Sequence, residues 1–284
     1  VLKKEMFMIS NLNSKINEFL NNEKISKWNF DDLKNVAIYT EFNENIMKWF
    51  RYLQSFETIG WRNKLVTKKL CKIFSDNKQI QFYSLFCPSY IKGNGKAGFR
   101  TDDVGNTTKI GIKNLMKITE ETRKLGYKCN NPKSIFFDVA LEQPEQTINM
   151  LDDLEKNIEN FKKYVPENME FSLLSEEFPE LMDIIGYHGI VIEPLPVDEI
   201  ILKRIIERGK KFYELFGWSL EKIEERSKII ASSEAIVGTF LRTKMPDAIM
   251  IYTPTMLERA QVYSGKHQND PLAIIIPERD DMGS

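Results

Sequence analysis

Gln79-Ile80-Gln81-Phe82-Tyr83-Ser84-Leu85-Phe86-Cys87-Pro88-Ser89-Tyr90-Ile91-Lys92-Gly93-Asn94-Gly95-Lys96-Ala97-Gly98-Phe99-Arg100-Thr101-Asp102-Asp103-Val104-Gly105-Asn106-Thr107-Thr108 is the stretch whose reading decides the fold. The apolar run from Ile80 to Phe86 breaks at Pro88 into a loop with glycines at 93, 95, 98 and 105, and a helical pattern follows. A strand that opens into a glycine-rich loop ahead of a helix is where α/β proteins place their ligands. The loop also carries a thiol, hydroxyls, cations and paired carboxylates, a mixture no simple turn requires.

Working outward, apolar and β-favouring runs recur at Ser134 to Leu141, Met169 to Leu174, Asp247 to Tyr252 and Leu272 to Ile276. Amphipathic stretches separate them near Lys109 to Lys124, Gln146 to Tyr164, Asp198 to Phe216 and Leu220 to Thr243. Near-continuous apolar strands joined by helices of this length imply crossover connections, hence a mostly parallel sheet covered on both faces. The expected fold is three-layer, Rossmann-like α/β over residues 77–284. Residues 1–76 read instead as an N-terminal helical cap, with Ile9, Leu12, Ile16, Phe19 and Leu20, then Met47, Phe50, Leu53 and Phe56, at helical spacing.

With 284 residues, 42% hydrophobic and 11% aromatic, the chain can bury a substantial core. Forty basic and forty-one acidic side chains leave a net charge of −1, so no global field draws in tRNA or DNA. Cys71, Cys87 and Cys129 lack metal-ligand spacing and, being odd in number, suit a reducing compartment. No run approaches the roughly 18 apolar residues of a membrane span, and Val1 to Met6 lacks a signal-peptide core, so the expected location is cytoplasmic.

Gly93, Gly95 and Gly98 spell Gly-x-Gly-x-x-Gly, but in a dinucleotide fold the glycines turn straight from strand into helix. Here Pro88 intervenes and the helical pattern begins near Thr108, so the spacing reads as a substrate lid rather than an NAD cradle, and the cofactor is left open. In such a lid Lys92, Lys96 and Arg100 would grip a phosphate or carboxylate, and Ser89 and Tyr90 would supply hydrogen bonds. Thr107 or Thr108 suits a helix cap. Asp102 and Asp103 exceed what capping needs; they suit a substrate ammonium, an ion pair with Arg100 or a metal, the last being the least supported by two neighbouring carboxylates.

Further along, Cys87 is a nucleophile only if a base lies near it, and otherwise a buried, inert thiol. Asp138 sits inside an apolar run, where a charge is costly unless paired or used, and is a candidate for proton transfer. Glu234, Gly238 and Arg242 share a stripe at four-residue spacing, either an exposed charge ladder or a ligand-facing seam. Arg259 and Tyr263 follow a strand and a turn and suit a carboxylate or phosphate clamp; His188 reads as a loop histidine.

The order of elements resembles the isonitrile synthases and, more distantly, the cyclodipeptide synthases, both built on a domain akin to class I aminoacyl-tRNA synthetases. The residues that carry it are Phe86-Cys87-Pro88-Ser89 at the first strand's end, Asp138 in the second, and the late order through Arg242, Pro246, Arg259 and Pro271. It spans roughly residues 79–277. Lys92 is the nearest match to the lysine of the isonitrile family's first loop, while the glycine pattern preceding the cyclodipeptide serine is absent before Ser89. The resemblance implies a biosynthetic transferase or lyase acting on an amino-acid-like or phosphorylated substrate. An aminoacyl-tRNA-using enzyme would need the basic residues of 109–128 and 203–211 to converge on one face. A non-enzymatic interaction protein would use the N-terminal helices, which deletion of residues 1–76 probes.

Overall fold

The computed structural model describes residues 57–59, 78–88, 101–138, 149–185, 197–214, 217–252 and 274–276. Its centre is strand β2 (Gln81–Phe86), five of whose six residues are buried. Such a strand needs cover on both faces, and the side chains divide accordingly: Tyr83 and Leu85 point one way, Phe82, Ser84 and Phe86 the other.

Strand β3 (Lys133–Phe136) lies parallel to β2 on one side, with Phe86 opposite Phe136, and β4 (Glu170–Leu173) lies parallel beyond it. On the other side β5 (Ala248–Ile251), buried throughout, pairs parallel with β2, and β6 (Ile274–Ile276) pairs parallel with β5. A short β1 (Glu57–Ile59) closes this side, antiparallel to β6. The six-stranded order is therefore β1-β6-β5-β2-β3-β4.

Parallel neighbours require long crossovers, and helices supply them. Helix α1 (Asn106–Lys124) joins β2 to β3 and buries Ile112, Leu115 and Ile118 at helical spacing. Helix α2 (Asn149–Tyr164) precedes β4; its Phe161 ring sits 4.9 Å from that of Phe136 and 5.1 Å from that of Phe86. Two short helices, α3 (Leu174–Glu177) and α4 (Pro179–Ile185), follow β4. Helix α5 (Glu199–Glu214) then packs on α6 (Leu220–Lys244), where Ile201 and Ile205 meet Ala231. The start of α6 is capped by Ser219, whose side chain accepts from the Lys222 N–H at 3.3 Å.

Helix α6 covers the face opposite α2. There Ile236, Val237 and Leu241 form one buried cluster with Tyr83, Leu85, Ile135, Met250 and Tyr252, joined by Leu174, Phe178 and Leu181 of the α3–α4 segment.

The expected strands and long helices fall where the hydrophobic pattern put them, with four differences. The strand expected over Ser134 to Leu141 ends at Phe136, where pairing with β2 stops. The residues after β4 fold into α3 and α4, which were not anticipated. Helix α1 begins at Asn106 with Gly105 as its N-cap and no side-chain cap bond, so neither Thr107 nor Thr108 caps it. Finally, the helical reading of residues 1–76 fails at Glu57–Ile59, which is a strand; short β-bonding segments leave no periodicity inside a helical pattern. The remainder of that region lies outside the described residues.

Candidate functional site

The parallel strands run outward from β2 in two directions, β3 and β4 to one side and β5 and β6 to the other. Crossovers leaving the carboxyl ends of β2 and β5 diverge at this point, and the divergence leaves a crevice in an open α/β sheet. The residues at its lip are Cys87 and Pro88 after β2, Phe137 and Asp138 after β3, and Tyr252 after β5.

Hydrogen bonds fix this edge. Phe137 N–H donates to Phe86 O at 2.7 Å, carrying the β2–β3 pairing one step past the strands. The Ser84 hydroxyl donates to Ile251 O and so stitches β2 to β5 across the switch. Ser134, on the same face one strand over, donates to Glu170 O at 2.9 Å. Two serines inside apolar strands thus tie each to its neighbour, which is how buried hydroxyls are accommodated.

Helix α1 brings its positive end to the same edge. Arg123, in its last turn, donates through Nη2 to the carbonyls of Cys129 at 3.2 Å and Asn130 at 2.9 Å. Cys129 bridges Ile80, so the end of α1 sits at the amino edge of the sheet. A helix of this length runs back about 28 Å, placing Gly105 to Thr108 at the carboxyl edge. Gly105 has φ +79°, a conformation that glycine adopts without strain.

The anticipated site residues separate into distinct groups. Cys87 and Asp138 both lie just past the ends of adjacent strands, Cys87 as a half-buried thiol. Asp138 is held by Ser175: Oδ1 accepts from its N–H at 3.1 Å and Oδ2 from its hydroxyl. The carboxylate therefore caps the start of α3, and that bonding accounts for a charge next to a buried strand. Asp103 receives the Lys109 ammonium at 2.6 Å and the Val104 N–H at 2.8 Å, so it braces the approach to α1; Asp102 is exposed.

Glu234 is 2% exposed and Gly238 is buried, which rules out an exposed charge ladder on α6. Arg242 is half-buried about 12 Å further along the helix, towards the amino edge. Ser89, Tyr90, Lys92, Arg100, His188, Arg259 and Tyr263, with the Gly-x-Gly-x-x-Gly loop, lie outside the described residues.

Sequence reasoning missed Ser175, Lys109, Tyr83 and Tyr252. A hydroxyl inside an apolar run was the available signal for the two tyrosines. Tyr83 is fully buried, and burial alone pushes its phenol well above the usual range. The Cys129 thiol is likewise pushed up to about 12 by burial, partly opposed by the Arg123 charge, so it is no nucleophile near neutrality.

Among the described residues no group of three or more His, Cys, Asp or Glu comes together to hold a metal, and no helix is long and apolar enough to cross a membrane. No protein-family model matches the sequence, and no curated protein matches it significantly.

Proposed function

We propose that this chain is a Rossmann-like biosynthetic enzyme, a transferase or lyase related in layout to the isonitrile synthases, acting on an amino-acid-like or phosphorylated small molecule. The observation that carries the reading is the switch between β2 and β5, the position at which doubly wound sheets receive ligands. Ser89, Tyr90, Lys92 and Arg100 belong to the connection that leaves this switch, and Arg259 and Tyr263 to the one that leaves β5.

In this reading Arg100 and Arg259 grip the substrate's anionic group, and Ser89 and Tyr90 orient it by hydrogen bonds. Glu234, held in a buried layer, is the group suited to proton transfer. Asp138 is a positioning residue that keeps α3 against the edge.

The test is thermal shift with the twenty L-amino acids and a set of sugar phosphates, on wild type, Arg100→Ala and Arg259→Ala. Members of one class should raise Tm in the wild type, and either variant should abolish the rise. No shift from either class, or shifts that survive both substitutions, would sink the proposal. Retention of tRNA that falls steeply with salt would favour the aminoacyl-tRNA-using alternative instead.

A further inference from the structure

The connection from β2 to α1 begins and ends at one place on α2. At its start the Phe86 ring lies 5.1 Å from that of Phe161, centre to centre. At its finish the Asn160 amide donates through Nδ2 to Thr101 O at 2.7 Å. Neighbouring residues of one helix thus hold both ends of the segment that leaves the switch.

The two holds differ in kind. Phe161 is 1% exposed and also lies 4.9 Å from the Phe136 ring and 5.6 Å from that of Phe171, so it seats α2 against the ends of β2 and β3. Asn160 precedes it, is half-buried, and projects about 100° away round the helix, towards the approach to α1. Tyr164, one turn on, lies on the same side as Asn160, and the Lys109 ammonium sits 5.8 Å from its ring centre. Lys109 in turn holds Asp103, which accepts the Val104 N–H, and the Val104 side chain is buried. The segment from Thr101 to Lys109 is therefore fastened to α2 through Asn160 and Tyr164, and the Asn160 bond comes first along the chain.

A bond to a main-chain carbonyl fixes the backbone whatever side chain stands there. Arg100 lies one peptide earlier, about 3.8 Å from Thr101 between α-carbons. A guanidinium reads a carboxylate or phosphate through a two-pronged geometry that tolerates little displacement. We propose that Asn160 is a positioning residue for the ligand: by holding Thr101 O beside the core-seated Phe161, it sets where Arg100 meets the substrate's anionic group. Shifting a positioned group by about 1 Å costs on the order of a hundredfold in rate, so an amide that never touches the substrate still governs the site.

The proposal rests on the function proposed above for its ligand, and its first test needs none. Limited trypsin digestion of the full chain, read by mass spectrometry, compares wild type with Asn160→Ala, Asn160→Asp and Asn160→Gln. Ala and Asp remove the donor and should speed cleavage after Arg100 roughly fivefold, while Gln keeps a donor and falls between. Cleavage after the exposed Lys124, at the far end of α1, should not change. Equal rates after Arg100 in every variant, or an equal rise at Lys124, overturn the hold. The second test is calorimetry with whichever L-amino acid or sugar phosphate raises Tm of the wild type. Asn160→Ala should weaken that probe roughly tenfold and Asn160→Gln less, while Lys244→Ala, which breaks an exposed ion pair with Glu180, should leave it unchanged. Full affinity in Asn160→Ala overturns the positioning role and leaves the proposed function standing. Absence of binding by every probe overturns the proposed function and the role with it, whatever the digestion shows.

Discussion

The hydroxyl of Ser84 donates to the main-chain carbonyl of Ile251, so the two strands whose crossovers diverge are joined by a side chain as well as by their ladder. The bond is buried and lies one residue beyond the Tyr83–Met250 register pair, next to the lip of the crevice. A ligand site at a switch point needs its two strand ends held at a fixed spacing, and this contact does so.

Replacing Ser84 with Ala should therefore destabilise the fold by about 1–2 kcal/mol, because the Ile251 carbonyl loses a partner in a dry environment. Urea unfolding is the measurement. An unchanged midpoint with unchanged slope would show that the carbonyl is satisfied in another way.

Asp138 and Ser175 form a second testable pair. Asp138→Ala and Ser175→Ala should each cost about 1–3 kcal/mol, and the double variant should cost clearly less than the sum, since both remove one bonded unit. Additive losses in a double-mutant cycle would break the link between the carboxylate and α3.

Gly105→Ala should destabilise by about 1–3 kcal/mol, because φ +79° with ψ 154° is a region that a Cβ disfavours. The loss should appear in urea unfolding at an unchanged slope. Unaltered stability would mean that the N-cap adopts another conformation at little cost.

Alkaline pH should weaken the protein through Cys129 and Tyr127, both pushed up to about 12 by burial. Below about pH 8.5 both groups are protonated whether folded or not, and neither makes stability depend on pH. Above that, unfolded Cys129 loses its proton while the folded thiol keeps it, and Tyr127 follows above about pH 10. Tm should stay level from pH 7 to 8.5 and then fall. Cys129→Ala should flatten the first part of the decline; an identical profile in that variant would remove Cys129 as a cause.

Much of this architecture is legible before any coordinates. Buried strands such as Ala248–Ile251 announce themselves because both faces must be apolar, and α6 because its length and its Ser219 cap are local features. What stayed hidden is long-range. The pairing of Glu57–Ile59 with Ile274–Ile276 joins segments from opposite ends of the chain, and three residues are too few to show a period. The site behaved alike: Cys87 and Asp138 reveal themselves as polar residues at strand ends, but nothing near Asp138 in sequence announces Ser175 as its partner. Tyr83 looks like one more aromatic in a core run until its hydroxyl is found unpaired.

Strand β1 has a consequence for shortening the chain. Ile274-Ile275-Ile276 is flanked by β5 on one side and by Glu57–Ile59 on the other. Cutting at residue 76 would take that outer neighbour away and bare a branched, uncharged strand whose amide and carbonyl groups seek another chain. Such a fragment would self-associate through its edge, and its behaviour would report on aggregation rather than on the loss of residues 1–76 themselves. A truncation that stops before Glu57 keeps the edge covered and asks the intended question.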